Sequence, residues 1–352
     1  SKRREIFSGD SSGRGKMRKK RLPVILLAAI MPIFMLMHAT VAASAHAPVS
    51  RAECVVEVSS RRLLSERNAQ TPLPNASTTK ILTAILIIDD CCLKDEVEIP
   101  ARAAGTEGSS IYLKAGDRYT VEELLYGLML RSGNDAAVAL ALHHSGNIAS
   151  FAQAMNMKAA MLGAEDSYFV NPHGLPDERH RTTARDLALI AAYAMENETF
   201  RTIVSTEYYA PRGWYNKNKM LASYEGANGV KTGFTTAAGR CLVTSAERNG
   251  MTLVSVVLNS PQMYERTAEL LDEAFSQYTL TRLTDYAMFP AGVGVREDFV
   301  YPLKEEERSQ VRTELLIQDP LPDKKGAIAG YVEIFLANNL IFSQNLYIME
   351  ER

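Results

Sequence analysis

The hydrophobic period of this chain changes along its length, and that change restricts it to a mixed α and β architecture. Over residues 77–88 the apolar positions recur at helical spacing, with Ile81, Leu82, Ile85 and Leu86 on one face. Helical patterning continues over 121–130, 135–144, 149–162 and 183–195, punctuated by Gly146 and Gly163. Thr120 followed by Glu123 is a capping box that opens the first of these. The period then becomes that of a strand. Residues 240–246 and 251–258 are rich in Val, Leu and Thr, and Asn249-Gly250 between them is a strong hairpin signal. Shorter strands are expected at 54–58 and 62–64, and residues 262–278 return to helix. After about residue 281 no long helical period recurs. Residues 311–317, 331–336 and 340–348 read as strands, with Asn338-Asn339 as a turn, so a small all-β module is expected over 281–352.

A length of 352 residues suits one large domain plus a small one. Net charge is −2, but residues 1–21 carry nine Lys/Arg and two Asp/Glu, so the remainder is acidic. An acidic body disfavours nucleic acid as a partner. The leader, residues 1–47, has the build of an export signal. Met17-Arg18-Lys19-Lys20-Arg21 is basic, residues 22–37 are apolar, and Ala43-Ser44-Ala45 and Ala45-His46-Ala47 are small-x-small cleavage patterns. A buried core helix and an uncleaved anchor reaching Ala45 are the alternatives. Four cysteines (Cys54, Cys91, Cys92, Cys241) do not make a disulfide framework in a chain this long. Free thiols are expected, with a Cys54–Cys241 bridge as the alternative. No Cys/His ligand spacing occurs, so neither a metal nor another cofactor is expected.

Three short motifs follow one another: Ser77-Thr78-Thr79-Lys80, Ser132-Gly133-Asn134 and Lys231-Thr232-Gly233. Ser77 and Lys80 lie three apart at a predicted helix start, which puts both side chains on one face. A serine hydroxyl is a weak nucleophile until a neighbouring base takes its proton. Lysine serves as that base when burial or nearby cations discourage its ammonium form. The helix N-terminus also favours negative charge near Ser77 and disfavours the Lys80 proton. Taken alone, the pair reads equally as an N-cap and a solvated first-turn cation. Ser132-Gly133-Asn134 reads as an interhelix corner, with Gly133 left-handed and Asn134 capping the next helix. Lys231 and Thr232, on an expected edge strand, suit an anionic substrate end, and Gly233 lets a ligand backbone approach. Each motif is ordinary by itself; all three in this order, in an exported chain, are not.

On these motifs the chain resembles the D-alanyl-D-alanine carboxypeptidases, low-molecular-mass penicillin-binding proteins of serine peptidase family S11. The resemblance spans roughly residues 48–352 and extends to 122–129, Asn171-Pro172-His173-Gly174-Leu175, 183–188, and Lys231–Thr235 followed by Ala238-Gly239. It implies an α/β (α+β) catalytic domain over 48–280, with an antiparallel sheet, a helical cluster and the site in the cleft between them. The β-rich tail over 281–352 resembles the family's C-terminal domain. It further implies Ser77 as nucleophile, Lys80 as general base and Ser132 as proton relay. Asn134 would hold the donor amide, Lys231 and Thr232 the terminal carboxylate, and the backbone N–H groups of Ser77 and Phe234 the oxyanion. The implied partners are peptidoglycan stem peptides, with β-lactams as inhibitors.

Two departures stand out. Where many relatives carry Asn-Arg-Asn, this chain has Asn216-Lys217-Asn218, so Lys217 offers a point charge in place of a bidentate fork. The C-terminal amphipathic helix that commonly anchors relatives has no counterpart after the last strand, so a released or wall-associated enzyme is expected, with membrane contact only through an uncleaved leader. A class A β-lactamase is the nearest alternative. It needs a deacylating glutamate in an E-x-x-L-N pattern, which Glu165-Asp166-Ser167-Tyr168-Phe169 does not supply. A non-catalytic wall-binding protein is the other.

Overall fold

The computed structural model describes residues 50–350, which belong to one compact unit, and the leader reading lies outside them. The main sheet has five strands: β1 (Ala52–Glu57), β2 (Leu63–Arg67), β3 (Ala227–Thr235), β4 (Gly239–Arg248) and β5 (Met251–Leu258), in the order β2-β1-β5-β4-β3. Every neighbouring pair is antiparallel. Asn249 and Gly250 both take positive φ, 51° and 76°, as a tight β-hairpin turn requires. The sheet is covered on both faces, and the alternation along β4 and β5 shows how. Cys241, Val243, Val254, Val256 and Leu258 enter the core shared with the helical cluster. Leu242, Ala246, Leu253 and Val257 enter a second core against Leu270, Leu271 and Ala274.

The helical cluster consists of α1 (Lys80–Asp90), α2 (Val121–Leu130), α3 (Asn134–Ser145), α4 (Ile148–Met161), α5 (Ala184–Glu196) and α6 (Glu198–Ser205); α7 (Met263–Gln277) packs on the opposite face of the sheet. The Thr120–Glu123 capping box forms as expected. Thr183 caps α5 by accepting from Asp186 N at 3.0 Å. Two boundaries differ from the sequence reading. The first predicted helix begins as a 3₁₀ turn, Ala76–Thr79, before α1. Helix α6 went unpredicted because its eight residues bury only Phe200, Ile203 and Val204, too few to establish a period.

The C-terminal module has a four-stranded sheet of β7 (Val293–Gly294), β9 (Val311–Ile317), β10 (Ile328–Leu336) and β11 (Asn339–Ile348), ordered β7-β11-β10-β9. Its own core includes Val293, Ala329, Val332, Ile334, Leu346 and Ile348. The β10–β11 turn falls at Ala337-Asn338, one residue before the expected site, because Leu336 pairs with Asn339. A two-stranded ribbon, β6 (Thr279–Arg282) with β8 (Val300–Leu303), joins the module to α7. Arg62, in the β1–β2 turn, donates to Pro302 O, pairs with Glu307, and stands 5.2 and 5.0 Å from the ring centres of Tyr278 and Tyr301.

Candidate active site

Asn75 shapes the turn that carries Ser77. Its Nδ2 donates to Thr78 Oγ1 (3.1 Å) and Thr79 Oγ1 (3.0 Å), while Thr78 Oγ1 donates to Asn75 O (2.6 Å). Thr79 Oγ1 also meets His180 Nε2 at 2.8 Å. These bonds hold the 3₁₀ turn against the first turn of α1, leaving Ser77 half-buried and Lys80 fully buried. Lys80 Nζ lies 2.9 Å from Ser77 Oγ, 2.7 Å from Asn134 Oδ1 and 2.8 Å from His173 O. Burial pushes the Lys80 ammonium well below its usual range, and the charges of Lys231 and Lys217 push the same way against Asp135. Three oxygens surround Nζ, enough for the three N–H groups of an ammonium, or for two N–H groups and a lone pair directed at the serine hydroxyl when the amine is neutral.

The second motif reaches the same amine through a backbone corner. Ser132, almost fully buried, takes the left-handed φ of 64°, and Gly133 is the N-cap of α3, so Asn134 is the first helical residue. The expected caps are therefore displaced by one residue: Ser132, not Gly133, makes the left-handed turn. Asn134 N donates to Ser109 O (2.7 Å) and its Nδ2 to Glu107 O (2.6 Å). The buried Asp135 carboxylate accepts from Ser110 Oγ (2.6 Å), Ile111 N and Leu113 N (3.0 Å), fastening the 107–113 segment to the helix start.

The third motif lies on β3, an edge strand as expected. Lys231 is buried and its Nζ donates to Thr232 O at 2.9 Å. Burial, then the charge of Lys217, lowers the Lys231 ammonium to about 7. A Cβ at Gly233 would sit 3.1 Å from Asn75 O and Ser77 N, so this glycine lets β3 lie against the Ser77 turn. The Phe234 side chain is exposed. Lys217 is exposed at its tip, with Nζ 3.5 Å from Ser109 Oγ, and burial and Arg131 lower its ammonium.

Sequence reasoning assigned no role to Asn171–Leu175, although the segment completes the Lys80 cage. Asn171 Oδ1 accepts from Gly174 N (2.7 Å), Thr83 Oγ1 donates to Pro172 O (2.7 Å), and His173 O receives Lys80. Gly174 has φ 86°, and a Cβ there would lie 1.8 Å from Ala76 O. Burial, followed by the charge of Lys80, lowers His173 to about 3; His180 is lowered to about 4, burial and Lys80 outweighing Asp177. Glu165 is exposed and forms no hydrogen bond among the described residues. All four cysteines are free thiols, Cys54 and Cys241 buried, Cys91 partly buried and Cys92 exposed. Among the described residues no group of three His, Cys, Asp or Glu side chains is placed to hold a metal ion.

Residues 39–262 match the family model of D-alanyl-D-alanine carboxypeptidase peptidases, and residues 291–352 match that of the penicillin-binding protein 5 C-terminal domain. D-alanyl-D-alanine carboxypeptidase DacF of Bacillus subtilis is 32% identical over 311 residues, covering 80% of each chain. DacC of Escherichia coli is 32% identical over 345 residues, covering 86% of this chain and 84% of the relative. The crystal structure of penicillin binding protein 5 from Haemophilus influenzae superposes with a TM-score of 0.71 at 27% identity, covering 86% of this chain and 97% of that one. A Streptomyces K15 DD-transpeptidase variant, 33% identical, superposes at 0.62 over 65% of this chain and 99% of that one. The chain belongs to the D-alanyl-D-alanine carboxypeptidase family of serine peptidases, with an α/β catalytic domain followed by an all-β domain.

Proposed function

We propose that Ser77 is the nucleophile of this serine D-Ala-D-Ala carboxypeptidase, which releases the terminal D-Ala of peptidoglycan stem peptides and is acylated by β-lactams. The observation that carries the assignment is the buried amine of Lys80, 2.9 Å from Ser77 Oγ, with acceptors at its two other contacts. Neutral Lys80 takes the Ser77 proton as Oγ attacks the carbonyl of the penultimate D-Ala. The oxyanion is received by the backbone N–H groups of Ser77 and Phe234. Ser132 relays that proton from Lys80 to the departing D-Ala nitrogen as the peptide bond breaks, which leaves the acyl group on Oγ and Lys80 neutral again. Asn134 holds the donor amide. Lys231 and Thr232 bind the terminal carboxylate, with Lys217 adding positive charge, and Gly233 keeps β3 close to the turn. Water then gives its hydroxyl to the acyl carbon and its proton, through Lys80, back to Ser77.

Domain boundaries near residues 48 and 281 fit this scheme, with 281–352 as the β module. The leader supports action outside the cytoplasmic membrane, as a released, wall-associated or leader-tethered enzyme. Among the described residues no helix is long and apolar enough to cross a membrane. The test is the intact mass of purified protein after penicillin treatment, paired with D-Ala release from a D-Ala-D-Ala peptide. A slowly decaying adduct on Ser77, D-Ala release, and loss of both in Ser77→Ala are expected. A rapidly vanishing adduct without D-Ala release would mark a β-lactamase, and no adduct at all a binding-only protein.

A further inference from the structure

Strand β9 is an open edge of the C-terminal sheet, because the order β7-β11-β10-β9 gives it one neighbour among the described residues. The main-chain bonds fix which of its residues face outward. Gln310 O accepts from Ala337 N, and Gln318 N donates to Ala329 O. The even-numbered residues between them therefore turn their N–H and C=O groups toward β10. Val311, Thr313, Leu315 and Ile317 present theirs to the open side. Sheet edges are commonly blunted by proline, lysine or a bulge. This strand contains neither residue, and its pairing with β10 runs without a register shift.

The module's core is also unfinished along this edge. Leu315 pairs with Val332 on the inward face, and Val332 is fully buried, yet Leu315 is 38% exposed. On the outward face Leu316, 59% exposed, stands opposite Tyr331. The charges of β9 lie on that outward face. Arg312 and Glu314 pair along the strand, and the guanidinium stands 4.3 Å from the ring centre of Phe335. Glu314 also stands opposite Glu333 on β10, a like-charge pairing that costs stability.

These charges complement themselves. An antiparallel copy of β9 centred on Thr313 sets Val311 against the partner's Leu315 and Arg312 against the partner's Glu314. The Thr313 and Val311–Leu315 pairs use the outward main-chain groups, as a ladder must. The Arg312–Glu314 pairs fall at the non-hydrogen-bonded positions, where side chains come closest. Four charges then alternate around a square, and the partner's Arg312 offsets the opposition of Glu314 and Glu333. Centring the pairing on Glu314 would instead oppose two carboxylates. We propose that β9 pairs with β9 of a second copy of this chain about a two-fold axis at Thr313, joining the two C-terminal sheets into one. The partner's Val311 covers the exposed Leu315, and the interface is the same patch on both copies.

Sedimentation of the purified protein over a concentration series tests this. A reversible monomer–dimer equilibrium is expected at about 1 to 200 μM, the range of small, transient interfaces. Arg312→Glu or Glu314→Arg alone sets like charges opposite each other at both positions. Either should weaken association by about ten- to a hundredfold, since two cross-strand pairs change sign. Mixing the two variants restores opposite charges at both positions, so a dimer holding one of each should form. The double exchange Arg312→Glu/Glu314→Arg in one chain should dimerise like the original. Neither residue touches the Ser77 site, so acylation by penicillin should keep its original rate throughout and report an intact fold. A protein that stays monomeric over the whole series would overturn the proposal. So would single variants that associate undiminished, or a loss that neither the mixture nor the double exchange repairs.

Discussion

Lys217 acts at a distance through its charge. Burial lowers the ammonium of Lys231 to about 7 and that of Lys80 well below its usual range, and the charge of Lys217 pushes both the same way, so three lysines share one field. In the proposed mechanism the neutral form of Lys80 is the base, so acylation is expected to rise as pH climbs through its lowered pKa. In the same scheme the cationic form of Lys231 holds the carboxylate, so substrate binding is expected to weaken above about pH 7. Removing a neighbouring positive charge raises both pKa values. Lys217→Met is therefore expected to move both limbs of the kcat/KM–pH profile upward, and penicillin acylation read across pH checks the acid limb separately. Lys217→Arg keeps the charge and adds a planar fork, so kcat/KM for a D-Ala-D-Ala peptide should rise severalfold; no change or a loss would count against a carboxylate contact. A second pH effect belongs to stability. The ordinary histidine value is 6.5, and His180 and His173 are lowered to about 4 and about 3 in the fold. Between pH 6.5 and 4 the unfolded chain binds protons that the folded one refuses, so stability is full above 6.5 and falls as pH drops. Thermal melts from pH 7 to 4 should show Tm falling over that window, less steeply in His180→Gln.

Strands and helices with a long, regular period were legible in the sequence, and so were the residues that converge on Ser77. The hairpin at Asn249-Gly250 and the capped helix at Thr120 announce themselves because turn and cap chemistry is local. The 3₁₀ turn at Ala76–Thr79 was not legible, because its hydrogen bonds come from Asn75 and from the distant His180. The third contact of Lys80 is a main-chain carbonyl at His173, and a backbone atom leaves no mark in residue type. Its sequence signal was the resemblance carried by Asn171-Pro172-His173-Gly174-Leu175, without a role. Gly174 takes φ 86°, and a Cβ on it would lie 1.8 Å from Ala76 O, a gap that admits none. Gly174→Ala must displace both the nucleophile turn and the 171–175 segment. A stability loss of about 3 kcal/mol is expected from strain plus steric clash. Acylation by penicillin should fall by about a hundredfold, since a displacement on the order of 1 Å costs that much at a reacting centre. Wild-type acylation in a folded Gly174→Ala would show that the cage does not position Lys80.

At the scale of the whole molecule, the catalytic and C-terminal sheets have separate hydrophobic cores. Beside the β6–β8 ribbon their junction depends on Arg62, which comes from the β1–β2 turn, donates to Pro302 O, pairs with Glu307 and stands over Tyr278 and Tyr301. Glu307 also accepts from Lys304 N at 2.8 Å, so the same carboxylate closes the turn that leads into β9. An arginine flanked by two rings and bound to a half-buried carboxylate bridges the modules, with Lys304 Nζ 5.2 Å from the Tyr278 ring centre as a further contact, each cation–ring contact being worth about 0.5–2 kcal/mol. None of these atoms contacts Ser77, Lys80 or β3. Arg62→Ala is therefore expected to uncouple the modules without touching the chemistry. Amide exchange should accelerate across residues 300–310, and a single calorimetric transition should split or broaden, while the rate of penicillin acylation stays at the wild-type value. Arg62→Lys should restore little of the coupling, because an ammonium cannot bind Pro302 O and Glu307 as a fork while lying flat over the rings. A parallel fall in acylation would instead mean that the β module helps to shape the catalytic cleft.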